Sequence, residues 1–305
     1  MEAVDVVVVS HNSRDRLREC VAPLAGDADI EVIVVDNASS DGSVESLEGL
    51  PVTAVASEVN GGFAQGCNVG WRRGSAPFVL LLNPDATIDV QSIRRLVDIL
   101  QATPGVGAVA PRIVHPDASL DYSIRRFPRL RSTYARALFL HRVFPRASWT
   151  DEVVRDDDAY RTPGTAEWVS GACVLLRREV LERIGGLDEG FFLYCEDKDL
   201  CKRLWDEGFE VRFEPSAEAQ HEGGASAPRS GLLPVLAASR IRYAKKHCAA
   251  PVVLLERFGV ALGALTHVVL SRGGSAARFG HARSARVALG PSAASSGPRP
   301  LAREP

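Results

Sequence analysis

Residues 185–204 set two adjacent carboxylates, Glu196 and Asp197, behind a run of aromatic and apolar side chains and at the start of an amphipathic helical pattern. A helix N-terminus favours negative charge, so a carboxylate there stays ready to take a proton. Acids in a first helical turn are also ordinary capping chemistry, and this segment alone leaves both readings open. Four further polar clusters each follow an apolar run: Ser10-His11-Asn12-Ser13-Arg14, then 36–42 with Asp36 and Ser39, then 58–63 with Asn60, Gly62 and Phe63, then Asn83-Pro84-Asp85-Ala86. Oxygen ligands such as the Asp85 carboxylate suit Mg²⁺ or Mn²⁺, which often bridge substrate phosphates. A turn or helix cap is the competing reading for Asp85, and an Asx-turn or helix cap for Asp36. His221 stands before a Gly-rich loop; a lone histidine is more often structural than a ligand, but this one follows the acidic helix by one strand, which would bring it back to the same edge. A histidine beside a carboxylate and two phosphate oxygens makes a sensible shell for either ion.

The elements that must position these groups alternate. Apolar runs at 4–9, 31–35, 52–56, 78–82 and 107–111 read as strands, four of them followed by helical patterns at 14–24, 43–50, 63–70 and 93–101. Uninterrupted apolar runs mark strands buried on both faces. Strand–helix alternation implies right-handed crossovers and a doubly wound, mostly parallel Rossmann-like α/β sheet. In such sheets ligands bind beyond the carboxyl ends of the strands, where the polar clusters fall. The rhythm breaks over 112–165. Beyond it, 168–177 reads as a strand, 179–184 and 199–207 as helices, 210–213 as a strand and 232–247 as a helix. The first turn lacks the glycine fingerprint of a dinucleotide site and the chain has no P-loop, so a diphosphate needs another means of neutralisation.

Composition is that of a globular protein: 305 residues, 46% hydrophobic and 24% charged, with a net charge of −2. That balance gives no global nucleic-acid signature. Six scattered cysteines without a C-x-x-C pair indicate neither a zinc knuckle nor a redox motif. With an N-terminus lacking a basic n-region they fit a reducing cytoplasm. Charge is uneven. The stretch 125–146 interleaves arginines with Phe127, Tyr134, Phe139 and Phe144 and contains no acid. A basic amphipathic segment can lie on an anionic membrane; a solvated helix packed on the domain is the alternative. The segment 251–270 is apolar but holds Glu256, Arg257 and His267, and its unbroken run is shorter than the ~20 residues of a spanning helix. It reads as interfacial, packed, or a homodimer contact. Residues 275–305, rich in Ala, Ser, Pro and Gly, are expected to be disordered.

Taken together, the segments 8–13, 34–43, 60–70, 81–85, 168–172 and 185–204, with His221, resemble the inverting GT-A glycosyltransferases of family 2, and within them the bacterial rhamnosyltransferase-like branch. The resemblance runs from about residue 4 to about 226. It implies a GT-A domain over 1–248, with a nucleotide-sugar half (1–111) and an acceptor and catalytic half (112–248), followed by an apolar helical segment (249–274). It further implies that Asp36 meets the nucleotide base. Ser10, Asn12, Ser39, Asn60, Gly62, Phe63, Asn68 and Asn83 would shape the nucleoside and sugar pocket. Asp85 takes the place of the family's metal-binding Asp, and because Asn83 replaces the first acid of that Asp-x-Asp pattern, His221 gains weight as a second metal ligand. Asp197 would be the general base, with Glu196 as the alternative or as an acceptor contact, and Trp168 and Gly171 would line the acceptor pocket. The implied reaction is a Mn²⁺- or Mg²⁺-dependent inverting transfer, rhamnose from dTDP-rhamnose being the leading donor and a UDP-hexose or UDP-galactofuranose the runner-up. The implied acceptor is a glycan or polyprenyl-diphosphate-linked sugar at the cytoplasmic membrane face, in cell-wall or surface polysaccharide synthesis. A binding protein that has lost turnover is the alternative from another class. Retention of Asp85, Asp197 and His221 together speaks against it. A glycosidase would need two opposed carboxylates and no nucleotide pocket.

Overall fold

The computed structural model describes residues 2–223, 229–270 and 274–290. Its centre is a twisted sheet in the order β3-β2-β1-β4-β10-β6-β11-β5. Strands β1 (Val4–Ser10), β2 (Ile30–Asp36), β3 (Thr53–Ala56) and β4 (Phe78–Leu82) run parallel. Every residue of β1 and β4 is buried, because the sheet is covered on both faces. Side chains alternate along a strand, and β1 shows the consequence: Val4, Val6 and Val8 enter one core, Val7 and Val9 the other. The first core is roofed by α1 (Arg14–Val21) and α3 (Val90–Ala102), the second by α2 (Phe63–Arg73), α6 (Arg178–Ile184) and α7 (Glu196–Asp206).

The parallel rhythm is broken where the site is built. The segment expected as one strand over 168–177 is split into β9 (Trp168–Val169) and β10 (Cys173–Arg177) by Ser170-Gly171-Ala172. β9 pairs with β7 (Ile124–Arg125) outside the main sheet. β10 lies antiparallel between β4 and β6 (Val106–Val114), with Cys173 opposite Leu82 and Leu175 opposite both Leu80 and Val109. The chain re-enters the sheet from its carboxyl edge, so the strand must point the other way. The next strand, β11 (Glu210–His221), which also pairs antiparallel with the short β8 (Gly164–Thr165), is far longer than the 210–213 expected. Its register against β6 shifts between Glu214 and Glu218, and Pro215, which cannot donate to the ladder, falls in that irregular stretch. Beyond the shift β11 continues antiparallel to β5 (Ala86–Ile88), bringing His221 opposite Ala86.

The C-terminal region departs most from expectation. Helices α8 (Arg229–His247), α9 (Ala250–Leu270) and α10 (Ser275–Leu289) pack on one another, and α9 also packs on α4 (Leu130–Ala137). The expected disorder of 275–305 is therefore corrected over 275–289. Alanine-rich α10 closes against its neighbours with Gly280, Ser284, Ala285 and Ala288 buried, small side chains that allow close helix approach. Residues 291–305 lie outside the described residues. The basic stretch 125–146 is likewise not one helix but β7, α4 and the single turn α5 (Leu140–Val143). The 43–50 helix shrinks to a 3-10 turn at Glu45–Leu47. Helix α9 runs unbroken for 21 residues with mean hydropathy 1.7, so by length and composition it passes for a membrane span, contrary to the expectation from sequence. One face is nevertheless tied to the domain, since buried Glu256 accepts from Thr133 at 2.7 Å and pairs with Arg240 at 2.8 Å.

Candidate active site

The polar groups gather at the carboxyl edge of the parallel strands, as the topology requires. Ser10 and Asp36 are opposite each other at the ends of β1 and β2. Both are buried, and Ser10 Oγ and Asp36 Oδ1 have no hydrogen-bond partner among the described residues. Buried polar atoms in folded proteins are nearly always paired, so these two oxygens point to a ligand that supplies the partner. The other Asp36 oxygen, Oδ2, accepts from the Ser39 amide at 3.0 Å. That bond reaches three residues on, the span of a cap rather than of an Asx-turn, and it occupies only one oxygen of the carboxylate. Asn12, at φ 51, accepts from the Ser40 amide through its side chain at 2.9 Å while its own amide donates to Ser39 Oγ at 2.9 Å. These two residues clamp one loop to the other.

The 60–63 turn is held from beneath. Asn60 Oδ1 accepts from the Gly62 amide at 3.0 Å. The Phe63 amide donates to the Phe192 carbonyl at 2.8 Å, and Asn37 Nδ2 donates to the Gly62 carbonyl at 2.9 Å. Gly62 has φ 88, and a Cβ there would sit 2.2 Å from the Phe192 carbonyl oxygen. Asn37, unremarked in the sequence, also accepts from His11 Nδ1 through its carbonyl at 2.8 Å. Asn68 is placed differently from its expected pocket role. It is buried in α2, and its amide group donates to the Leu187 carbonyl and Glu189 Oε1, both at 2.8 Å, while its oxygen accepts from Trp71 Nε1 and the Leu187 amide, both at 2.9 Å. All its hydrogen-bonding capacity goes into anchoring the loop that leads to α7.

A second cluster lies around Asp85. Asp85 Oδ1 and His221 Nε2 are 3.3 Å apart, Asn83 Nδ2 stands 3.3 Å from the same nitrogen, and Asp121 Oδ2 lies 3.7 Å from His221 Nδ1. Burial opposes charge on the imidazole, but the neighbouring Asp121 and Asp85 carboxylates outweigh it and lift His221 to about 9, although Nδ1 itself has no hydrogen-bond partner among the described residues. Burial likewise opposes the Asp85 carboxylate, and contact with His221 more than compensates, holding it below the usual range. No group of three or more His, Cys, Asp and Glu suited to a metal occurs among the described residues. Asp85 Oδ1 and the His221 nitrogen converge on one spot and fit a Mn²⁺ or Mg²⁺ ion that displaces the imidazole proton, with the shell completed by substrate phosphates.

The carboxylate pair opens α7 after Tyr194 and Cys195, both left-handed at φ 70 and φ 67. Two successive non-glycine residues in that region are uncommon, and such strain gathers at functional sites. Asp197 Oδ2 accepts from the Gly171 amide at 3.1 Å, and Oδ1 from the Lys198 amide at 2.7 Å. Burial raises the Asp197 pKa, while those amides and the Lys198 and Arg125 charges pull it back. Glu196 is buried, its Oε2 has no partner, and burial together with the Asp197 charge pushes its pKa up strongly. The link between the clusters is short: the Asn83 amide donates to the Ala172 carbonyl at 2.9 Å, one residue from the Gly171 that holds Asp197. Trp168 is buried beneath this segment, with Lys198 Nζ 4.9 Å from its ring centroid and its Nε1 donating to the Arg126 carbonyl at 2.8 Å. Asp121 and Arg125 belong to this neighbourhood although neither was singled out for the site from sequence. They lie in the irregular 112–165 region, where no periodicity marks them.

A GT-A-type sheet whose strand ends carry polar groups, with a carboxylate–histidine pair and a carboxylate at a helix start, belongs to the glycosyltransferase class. Residues 5–185 match the family model described as "Glycosyl transferase family 2"; the chain belongs to that family. It is 31% identical over 243 residues to the N-acetylglucosaminyl-diphospho-decaprenol L-rhamnosyltransferase of Mycobacterium tuberculosis, covering 75% of this chain and 78% of the relative. It is 25% identical over 230 residues to rhamnosyltransferase WbbL of Escherichia coli, covering 72% and 83%. In fold it resembles the mannosyltransferase PcManGT of Pyrobaculum calidifontis, solved with GDP-Man and Mn²⁺, at TM-score 0.56 and 17% identity over 94% of this chain and 86% of that one.

Replacing Gly62 by Ala forces the Phe192 contact apart in a strained conformation. Gly62→Ala is expected to lower the melting temperature and to weaken nucleotide binding at least tenfold, checked by calorimetry in both modes; wild-type values would show that the turn is not held as described.

Proposed function

We propose that this enzyme carries out an inverting transfer of L-rhamnose from dTDP-rhamnose to a polyprenyl-diphosphate-linked sugar during cell-wall or surface polysaccharide assembly. The observation that carries the reading is the short bridge through Gly171 and Ala172, which puts the Asp197 carboxylate beside the Asn83–Asp85 turn. The rhamnosyltransferase relatives support the donor, and the printed decaprenol-linked substrate of one supports the acceptor.

Asp197 is the general base. An inverting transfer needs one group to accept the proton of the acceptor hydroxyl while its oxygen bonds to the anomeric carbon opposite the departing nucleoside diphosphate. Asp197 is half-buried, and two backbone amides favour its ionised form. Glu196, buried with an unpartnered oxygen, is the member of the pair that keeps the proton. Ser10 Oγ and Asp36 Oδ1 take the nucleoside, and Trp168 backs the acceptor side. Asp85 and His221 would hold Mn²⁺ or Mg²⁺; such an ion, when bound, supplies Lewis-acid stabilisation of charge on the leaving diphosphate.

The acceptor reading extends to a membrane. Leu254, Leu255, Phe258, Leu265 and Val269 are exposed on α9, and Leu138, Val143, Phe144 and Trp149 are exposed after α4, among exposed Arg131, Arg142 and Arg146. Apolar side chains among arginines suit an anionic lipid surface. Flotation with phosphatidylglycerol vesicles should carry the protein upward and neutral vesicles should not; equal behaviour with both sinks the membrane reading.

Asp197→Asn should lower kcat by about 10²–10⁴-fold with nucleotide affinity unchanged, whereas Glu196→Gln should stay within about tenfold of wild type. Because the base acts only when deprotonated and its pKa is raised, activity should fall as pH drops through a midpoint above the ordinary Asp value of about 3.9. An Asp197→Asn protein that turns over normally would exclude Asp197 as base. Calorimetry with dTDP, UDP and GDP, each with and without Mn²⁺, tests the donor. Metal-dependent preference for dTDP is expected; preference for UDP moves the donor to a UDP-hexose, and binding of none overturns the nucleotide-sugar reading.

A further inference from the structure

Arg125 sits near carboxylates without pairing directly with any of them. Its Nε is buried without a hydrogen-bond partner, and among the described residues its guanidinium makes no hydrogen bond or ion pair. Other arginines with an orphaned buried nitrogen differ, because each has a carboxylate: Arg112 has Glu218 at 4.0 Å, Arg203 has Asp199 at 2.8 Å, and Arg242 has Asp188 at 2.8 Å. Arg125 instead lies with its Cζ 5.7 Å from the Trp168 ring centroid. The two residues are directly opposite in the β7–β9 pair, so their side chains share a face. The Arg125 charge acts on Asp121, the partner of His221, and on Asp197. A partly buried guanidinium costs free energy unless an anion meets it, and its planar fork matches phosphate oxygens.

We infer that Arg125 receives a phosphate oxygen of a reacting diphosphate, between the Asp85–His221 pair and the Asp197 base. The inference rests on the transfer chemistry proposed above. The diphosphate is that of the nucleotide or that of a prenyl-diphosphate acceptor, and binding distinguishes them. Arg125→Gln keeps the stem over Trp168 without the charge; Arg125→Lys keeps the charge without the fork. Wild type and both variants, with melting temperatures compared first, are titrated with dTDP and UDP in the presence of Mn²⁺ and with a short-chain prenyl-diphospho-N-acetylglucosamine. Arg125→Gln should weaken one of these classes by about ten- to a hundredfold, with Arg125→Lys in between. Loss confined to the nucleotides assigns Arg125 to the donor, and loss confined to the prenyl diphosphate assigns it to the acceptor. Folded variants that bind every probe as wild type does overturn the inference alone. Wild-type protein that binds no probe overturns this inference together with the function it rests on.

Discussion

The site depends on one structural constraint, the antiparallel insertion of β10 between β4 and β6. A parallel strand there would begin at the far edge of the sheet. Running the other way, β10 begins at the carboxyl edge of β4, and the three residues before it cross the mouth of the site. Their backbone makes two contacts of different meaning: the Ala172 carbonyl receives the Asn83 amide, and the Gly171 amide supports the Asp197 carboxylate. Backbone groups fixed by a central strand hardly move, so the spacing between the Asp85 turn and Asp197 is set by the sheet rather than by flexible side chains. A similar logic acts at β11, where the register shift around Pro215 carries His221 across to Ala86 and so to Asp85.

Buried charge ties α7 to the C-terminal helices. Lys198, next to Asp197, donates to Glu152 at 2.7 Å; Glu152 also pairs with Arg240 at 3.2 Å, and Arg240 with Glu256 of α9 at 2.8 Å. Burial opposes the Glu152 charge, but Lys198 and Arg240 outweigh it and hold its carboxyl down at about 2. Asp199, also in the first turn of α7, is shared by Arg203, Lys246 and His247. Networks of this kind are strongly destabilised when one partner is lost, because the remaining charge stays buried. Helices α8 and α9 are therefore part of what holds α7.

The first half of the fold was legible because its signals are local. β1, β2 and β4 are apolar runs buried on both faces, and their ends match expectation within a residue. Polar residues at those ends were legible for the same reason, and Ser10, Asp36, Asp85 and His221 gather at one edge as the topology demands. Asn68 shows the limit. Its type and position suited a pocket, but whether an amide faces a ligand or a neighbouring loop depends on what packs opposite, and here Leu187, Glu189 and Trp71 occupy all of it. In 112–165 the elements are short and lack periodicity, so Asp121, Arg125 and Glu152 gave no signal of their roles.

The amino-acid sequence by itself determined the α/β class, the polar strand ends, the carboxylate pair at a helix start and the membership that follows from their order, because each is written in neighbouring residues. Tertiary structure alone decided the direction of β10, the long register-shifted course of β11, the packing of residues 275–289 as a helix and the position of Arg125 on Trp168. Those features arise from pairings between residues far apart in the chain. Their free energy depends on burial and on which charges end up facing each other, quantities that no local pattern encodes.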